Sequence, residues 1–366
     1  TEMITGLDLV RMQIEVAQGA PLPPDVIDAR INGHAIEARL YAEDVAAGFV
    51  PTSGPVHRLH IPTAAGLRVD SGYEDGSAVS TFYDAMLSKV IAWAPTRTEA
   101  ITVLADALSR AEIHGVVTNR DLLVNTLRSD EFVAGQTDTG FFDRHDLDVL
   151  GVAADAAAVA EVHAIAAALA RPSAVPGAAS PHPAGLPRGW RNVGGRRATT
   201  ELLRGGESLS VAVVRDRDGV MASVNGRPPV AVRVIAATDD TVELELLGVR
   251  HRVRLHRVGH HLYADSMAGA TDLVAVERFP LPDAHVAHGS LLSPMPGTVV
   301  AVHAVVGQDV IAGQVLIALE AMKMEHSIKA PLAGAVVEVR VAVGDQVESG
   351  QVLIVVGDAS DASEEG

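Results

Sequence analysis

The sequence predicts a multidomain protein of three unlike units: an α+β unit, a helix followed by a small antiparallel β-barrel, and a flattened all-β sandwich. Three features predict this. Helical and strand periodicities alternate over residues 1–147, short strands between turn signals fill 189–280, and a repeat with an offset of 37 residues occupies the C-terminus.

In the first unit, Leu7 to Gln18 reads as a helix, with Leu9, Val10, Ile14 and Val16 as its apolar positions and Gly19 and Pro21 as stop signals. The chain opens on Thr1-Glu2-Met3-Ile4-Thr5-Gly6 without an initiator Met or a signal-peptide pattern, so a C-terminal portion of something longer is expected. Ala35 to Tyr41 alternates apolar Ile36, Ala38 and Leu40 with charged Glu37 and Arg39, the period of a half-buried strand. Val56 to Ile61 and Met86 to Trp93 read as further strands. Thr96 and Glu99 form a capping box ahead of a helix with Ile101, Leu104, Ala105 and Leu108 on one stripe. A second helix is expected to start at Thr118.

The middle unit, 148–285, begins with the alanine-rich helix Ala153 to Ala170. A linker rich in Pro, Gly and Ala follows at 171–188. Ser208 to Val214, Ala231 to Ala236, Val242 to Leu247 and His251 to Leu255 read as strands, with Asp218-Gly219 and Asn225-Gly226 as hairpin turns. Residues 281–292 read as a connector of at most about 40 Å when extended. The third unit spans 291–357 and a tail fills 358–366.

The repeat is the strongest signal. Residues 293–319 and 330–356 share 13 identities in 27 positions, including Pro294/Pro331, Gly297/Gly334 and the run Gly313-Gln314-Val315-Leu316-Ile317 against Gly350-Gln351-Val352-Leu353-Ile354. One copy cannot cover its own apolar face, so the two must pack together. The break between copies falls at Glu320 to Glu325, which symmetry makes a protruding hairpin with Lys323 at its tip.

Composition narrows the function classes. The 29 basic and 46 acidic residues leave a net charge of −17, which argues against nucleic acid and against a polybasic membrane anchor. Aromatic residues are 3% of the chain, too few for base-stacking platforms. Cysteine is absent, which excludes disulfides, thiol nucleophiles and Cys-based zinc sites and fits the cytoplasm. No metal site is expected: His260-His261, His57 with His60, and His285 with His288 lack carboxylates at ligand spacing and read as surface histidines.

A single lysine between two half-repeats, flanked by unbranched methionines, suits an amide-linked carrier cofactor. Ala321-Met322-Lys323-Met324 resembles the attachment signature of biotin carboxyl carrier domains, as Ser293-Pro294-Met295-Pro296-Gly297 resembles their opening. A lipoyl domain shares that barrel-sandwich hybrid fold but has Asp-Lys-Ala at the turn. The resemblance implies covalent biotin on Lys323 and a biotin protein ligase as a partner.

The first unit resembles the C-terminal part of biotin carboxylase, an ATP-grasp enzyme. Gly33-His34-Ala35-Ile36-Glu37-Ala38-Arg39-Leu40-Tyr41-Ala42-Glu43-Asp44 carries the likeness, with Phe49 to Gly54, Tyr83 to Lys89 and His114 to Asn119. It implies that Arg39 contacts bicarbonate and the biotin ureido oxygen, where a guanidinium stabilises developing negative charge. Without the motif, Arg39 reads as a strand arginine paired with Glu37 or Glu43. Tyr83 and Asp84 either support that pocket or form a turn. The family's ATP-gripping lysines, metal-binding glutamates and general base precede the segment matching Thr1, so this stretch is not expected to make carboxyphosphate by itself. ATP and Mg or Mn belong to the intact subunit.

The middle unit is too short for the metal-dependent TIM barrel of pyruvate carboxylase, which needs roughly 200 or more residues. It resembles instead the BT domain that ties acyl-CoA carboxylase α-subunits to a carboxyltransferase β-subunit, with Gly189-Trp190-Arg191-Asn192-Val193 ahead of the strands. The chain therefore resembles the biotin-bearing α-subunit of an acyl-CoA carboxylase in a large hetero-oligomer, acting on bicarbonate and an acyl-CoA. Residues 321–328 and Asp138-Thr139-Gly140-Phe141-Phe142 look most like 3-methylcrotonyl-CoA carboxylase, an enzyme of leucine degradation. Propionyl- or acetyl-CoA carboxylase is the alternative within the family. A non-catalytic biotinyl or lipoyl carrier, or a scaffold with an unmodified Lys323, is the alternative outside it.

Overall fold

A computed structural model describes residues 1–152, 155–170, 198–215, 219–276, 290–321, 324–348 and 350–357. The linker 171–188, the tail 358–366, Gly189 to Val193, Asp218, His285 and His288 lie outside the described residues.

After a single helical turn at Glu2–Thr5, the first unit continues with helix α1 (Leu9–Ala17), whose N-cap is Asp8. Its sheet is antiparallel, in the order β1 (His34–Tyr41), β4 (Met86–Ala94), β3 (Leu67–Ser71). Strand alternation divides β1 cleanly. Ile36 and Ala38 pair with Ala92 and Val90 and pack against α2 (Arg97–Ser109), so Glu37, Arg39 and Tyr41 take the other face. The capping box forms: Thr96 Oγ1 accepts from the Glu99 amide and Glu99 accepts from the Thr96 amide.

Two expectations shift here. The strand expected over Val56–Ile61 is confined to β2 (Arg58–His60), because its one partner is the equally short β5 (Glu112–His114). The helix expected from Thr118 is α3 (Arg120–Arg128). It starts later because Asn119 serves β1 instead: its Oδ1 accepts from the Tyr41 amide at 2.9 Å and its Nδ2 donates to the Arg39 carbonyl at 3.2 Å. A short turn satisfies the free edge of the strand that carries Arg39.

The middle unit is a closed eight-stranded antiparallel barrel: β6 (Ala198–Arg204), β7 (Glu207–Arg215), β8 (Val220–Val224), β9 (Val230–Ala237), β10 (Thr241–Leu246), β11 (Val249–Val258), β12 (His261–Ser266) and β13 (Gly269–Ala275). Leu202 and Leu203 of β6 pair with Ala275 and Val274 of β13 and close it. At the β8–β9 turn, Asn225 and Gly226 take the expected left-handed backbone, with φ of 49° and 71°. Helix α4 (Ala156–Leu169) fills the interior, packing Ala164, Ile165, Ala166 and Leu169 against Val211, Val242, Leu244, Val253 and Leu273. Its alanines keep the helix narrow enough for a barrel of this size. His163 is the helix's buried polar residue. Its ring nitrogens meet Thr271 Oγ1 at 2.8 Å and Ser266 Oγ at 2.9 Å.

The third unit consists of two four-stranded sheets. One runs β14 (Ser290–Leu292), β21 (Val352–Gly357), β19 (Gly334–Val339), β16 (Asp309–Val310); the other runs β18 (Met324–Lys329), β17 (Val315–Ala321), β15 (Gly297–Val302), β20 (Gln346–Val347). Each copy of the repeat donates one short strand to the other's sheet. Gly297 pairs with Val347 just as Gly334 pairs with Val310, 37 residues displaced. The identities of the repeat are core contacts: Val299/Val336, Val310/Val347, Leu316/Leu353 and Ile317/Ile354 are all buried together.

The expected connector 281–292 is corrected at its end. Residues 290–292 form β14, the counterpart of 327–329 at the same offset, and pair with β21 as β18 pairs with β17. The strand is needed because without it β21 would lie at an open edge.

First and second units meet across a polar seam that local sequence patterns do not show. Glu112 of β5 is buried between Arg58 and Arg254, the latter at 2.8 Å. His114 Nε2 lies 2.8 Å from Asp265 Oδ2 and its Nδ1 lies 2.8 Å from His256 Nδ1. Its ring stacks on Tyr263 with centroids 4.6 Å apart. Tyr263 and Asp265 alternate with the inward-facing Leu262 and Ala264, so they face out of the barrel, and they are buried by the first unit. Burial lowers the basicity of His256, with His114 and Arg58 adding to the effect, and raises the Tyr263 hydroxyl to about 12. The expectation of surface histidines is met by His60, His260 and His261, but His57 is half-buried near Tyr263.

Two predictions follow from these contacts. Burial holds His163 near a pKa of about 4, against about 6.5 in an unfolded chain. The unfolded state therefore binds the proton first. Barrel stability is full above pH 6.5 and falls as the pH drops toward 4, by up to about 3 kcal/mol. Denaturation curves across that range should show the slope, and His163→Gln should flatten it. Replacing Glu112 by Ala leaves two half-exposed arginines facing each other, and should raise amide exchange in β5 and β11 together while α4 stays protected.

Candidate functional site

The first candidate site is the β17–β18 hairpin. Its register runs Ala318↔Ser327, Leu319↔His326, Glu320↔Glu325 and Ala321↔Met324. Paired ends at 321 and 324 leave two residues, 322 and 323, to join the strands, the shortest common hairpin connection. Met322 and Lys323 themselves lie outside the described residues. Ala321 is buried. Beneath the hairpin, Gly297 passes so close to β17 that a Cβ there would sit 2.8 Å from the Glu320 carbonyl oxygen; its repeat partner Gly334 would meet Gly357 oxygen at 2.3 Å. The shared glycines of the repeat are thus sites of close strand approach. The pseudo-two-fold relation maps this hairpin onto the ends of β21 and β14, where the unit's chain leaves and enters. The hairpin accordingly lies away from the unit's covalent attachment.

The second candidate site is the open face of the β1–β4–β3 sheet. Arg39 is 61% exposed, and its Nε donates to Glu37 Oε1 at 3.1 Å. Glu37 first, and the Tyr41 hydroxyl second, hold the guanidinium more firmly in its charged form. The pairing with Glu37 is the strand ion pair that the bare sequence allowed. Directly opposite Arg39 on β4 stands Lys89, whose Nζ is 3.5 Å from Asp70 Oδ2 on β3. Arg68, paired with Asp70 and Glu2, completes a row of charges.

Tyr83 is 76% exposed and the adjacent Phe82 68%, so neither is packed into a pocket. Asp84 Oδ1 accepts from the Met86 amide at 2.7 Å, which is a turn contact at the start of β4. Burial, and then the charge of Asp84, raise the Glu43 carboxyl above its usual range. No hydrogen bond among the described residues joins Arg39 to the hairpin. Among the described residues no group of three or more His, Asp or Glu could hold a metal ion. The sequence reading missed Asn119 as the residue that braces the backbone of Arg39, because its cap-like spacing suggested a helix start.

Comparison with known proteins gives the same three units. Residues 37–144 match the biotin carboxylase C-terminal domain, 155–278 the BT domain of methylcrotonyl-CoA carboxylase α-subunit, and 289–356 the biotin-requiring enzyme family of biotinyl and lipoyl domains. The chain belongs to the biotin-dependent carboxylase α-subunits. Within them it is similar to the mitochondrial methylcrotonoyl-CoA carboxylase subunit alpha of Oryza sativa subsp. japonica, 33% identical over 90% of this chain and 50% of that protein. The Mus musculus protein of the same description is 31% identical over 90% of this chain and 47% of its own length. The propionyl-CoA carboxylase alpha chain of Ruegeria pomeroyi is 32% identical over 89% of this chain and 52% of its own length. The chain spans about half the length of these relatives.

Gly297→Ala should push β17 at Glu320 and cost the third unit about 1–3 kcal/mol. Thermal unfolding would read the loss. Capture on avidin after co-expression with a biotin ligase would show whether the displaced hairpin is also modified less.

Proposed function

We propose that this chain is the carrier-bearing part of an acyl-CoA carboxylase α-subunit, with biotin joined to Lys323 as an amide. What carries the reading is the two-residue hairpin interval containing Lys323, built on a repeat-derived sandwich in the same chain as the sheet that holds Arg39. Bound biotin would supply a carrier nitrogen for the carboxyl group. The residues near 323 fit such a group: a short hairpin on a rigid unit whose chain ends lie elsewhere.

Arg39 is the residue we assign to the carboxylation step. Its charge is permanent, its face of the sheet is open, and Asn119 and Glu37 hold its strand and side chain. There it would attract bicarbonate and stabilise negative charge developing on a ureido oxygen. ATP and Mg or Mn complete that reaction in the family.

The carboxyl group then passes to an acyl-CoA on a carboxyltransferase β-subunit, for which the barrel is the tethering unit. The likeness to methylcrotonoyl-CoA carboxylases favours 3-methylcrotonyl-CoA and leucine breakdown within a hetero-oligomer. The likeness to a propionyl-CoA carboxylase keeps propionyl-CoA as the second reading. The absence of cysteine favours the cytoplasm, and no helix among the described residues is long and apolar enough to cross a membrane.

In a host with a biotin ligase, peptide mass spectrometry should find biotin on Lys323, and Lys323→Arg should abolish avidin capture. Absence of the modification in the wild type would overturn the reading. In the intact subunit, Arg39→Gln should leave biotinylation unchanged and lower biotin carboxylation by about 100-fold or more. Labelled bicarbonate offered with a panel of acyl-CoAs should enter 3-methylcrotonyl-CoA; entry into propionyl-CoA instead would select the second reading.

A further inference from the structure

The seam between the first unit and the barrel contains a pair of rings that the proposed reaction does not use. His114 Nδ1 of β5 and His256 Nδ1 of β11 lie 2.8 Å apart. Such a contact needs a proton on one ring nitrogen and a lone pair on the other. On its far side, His114 Nε2 lies 2.8 Å from Asp265 Oδ2 of β12. A carboxylate only accepts, so this nitrogen carries a hydrogen. Asp265 Oδ1 is buried without a hydrogen-bond partner, which leaves His114, among the described residues, as the side chain that donates to this carboxylate.

Both units enclose the pair. His114 is buried and stacked on Tyr263. From the first unit, the His57 ring lies 6.1 Å from Tyr263, and Arg58 holds Glu112 beside His114 on β5. From the barrel, Arg254 of β11 meets the same Glu112. His261 stacks behind Tyr263 and is paired with Asp272 of β13. His163 of α4 lies on the inner side of the wall, within electrostatic reach of Asp265. Burial first, and then His114, Arg58 and His57, lower the basicity of His256, while Asp265 acts in the opposite direction.

The two rings have an upper limit on their protons. Neutral rings satisfy the contact, and so does one added proton, which sets an imidazolium against an imidazole. A second added proton places N–H on both Nδ1 atoms, and two hydrogens do not fit in a gap of 2.8 Å. We infer that His114 and His256 form an acid-sensitive latch between the first unit and the barrel, closed with up to one added proton and released by the second. Separated rings in water each take a proton near a pH of about 6.5. Below that pH the open form binds one proton more than the closed form. The latch therefore has its full strength above about pH 6.5 and weakens as the pH falls. Arg58 belongs to the first unit, so Glu112 keeps a partner when the barrel turns away. Each unit also keeps its own core, so release reorients the barrel without unfolding it.

The chain has no cysteine, so Thr102→Cys on α2 and Met267→Cys on the β12–β13 turn, both exposed, give two unique sites for a fluorescent donor and acceptor. Energy transfer in the full chain should stay constant from pH 8 to about 6.5 and then change reversibly. The closed-to-open ratio should drop by up to about tenfold per pH unit. His256→Asn should hold the pH 8 value down to pH 5, because an amide side chain donates to a bare Nδ1 and accepts from a protonated one. His163→Gln should leave the transition in place, which separates it from acid unfolding of the barrel. In the unsubstituted chain, the ring-carbon NMR signal of His256 should titrate together with the change in transfer, a measurement that needs no variant at 256. Constant transfer from pH 8 to 5 overturns the latch. So does a His256→Asn chain that opens as the parent does, a transition abolished by His163→Gln, or titration of the His256 ring with no change in transfer.

Discussion

Glu112 and His114 decide how the first two units of this protein are joined. Both sit on a strand of three residues, and both are buried against the outer wall of a barrel that begins some 85 residues later. A buried carboxylate is tolerated only when its charge is met, and here two arginines from different units meet it. The imidazole beside it has a carboxylate on one nitrogen and a second imidazole on the other. Such contacts are directional, so the seam specifies one orientation where an apolar patch would allow several. The same strand pairs with β2 and leads into the turn at Asn119, which braces the backbone of Arg39. A continuous set of contacts thus links the wall of the barrel to the sheet of the first unit.

The third unit follows a different constraint. Two half-sandwiches, each short of one strand, complete each other by exchange. The glycines where strands approach most closely must recur in both halves, as must the valines and leucines that fill the common core. Duplication leaves one position unlike its counterpart: β17 and β18 are joined directly in sequence, whereas their counterparts β21 and β14 are not.

Much of this was legible beforehand. The repeat, the capping box at Thr96, the alanine-rich helix and the Asn225-Gly226 turn follow from local rules that residues obey wherever they occur. A small antiparallel barrel was expected from the short strands and their turns; its eight-strand closure rests on the pairing of β6 with β13, which no local pattern marks. The length of β2 and the start of α3 were misjudged for one reason. Both depend on partners distant in sequence, β5 for the first and Tyr41 for the second. The strand at 290–292 was hidden because its equivalence to 327–329 lies in position and pairing more than in residue identity.

The candidate site divides in the same way. Lys323 stands out in the sequence because a repeat has a midpoint and a hairpin has a tip. Arg39 stands out because its motif is dense and its strand alternates. The sequence by itself therefore determined the three units, the midpoint of the repeat and the face of the strand that bears Arg39, all of which rest on periodicity and local spacing. The tertiary structure alone decided what stands beside them: Lys89 across from Arg39, Asn119 beneath it, and the charged seam between the first unit and the barrel. Those neighbours are brought together by strand register and domain packing, which depend on the free energy of the whole fold and leave no mark on any short stretch of chain.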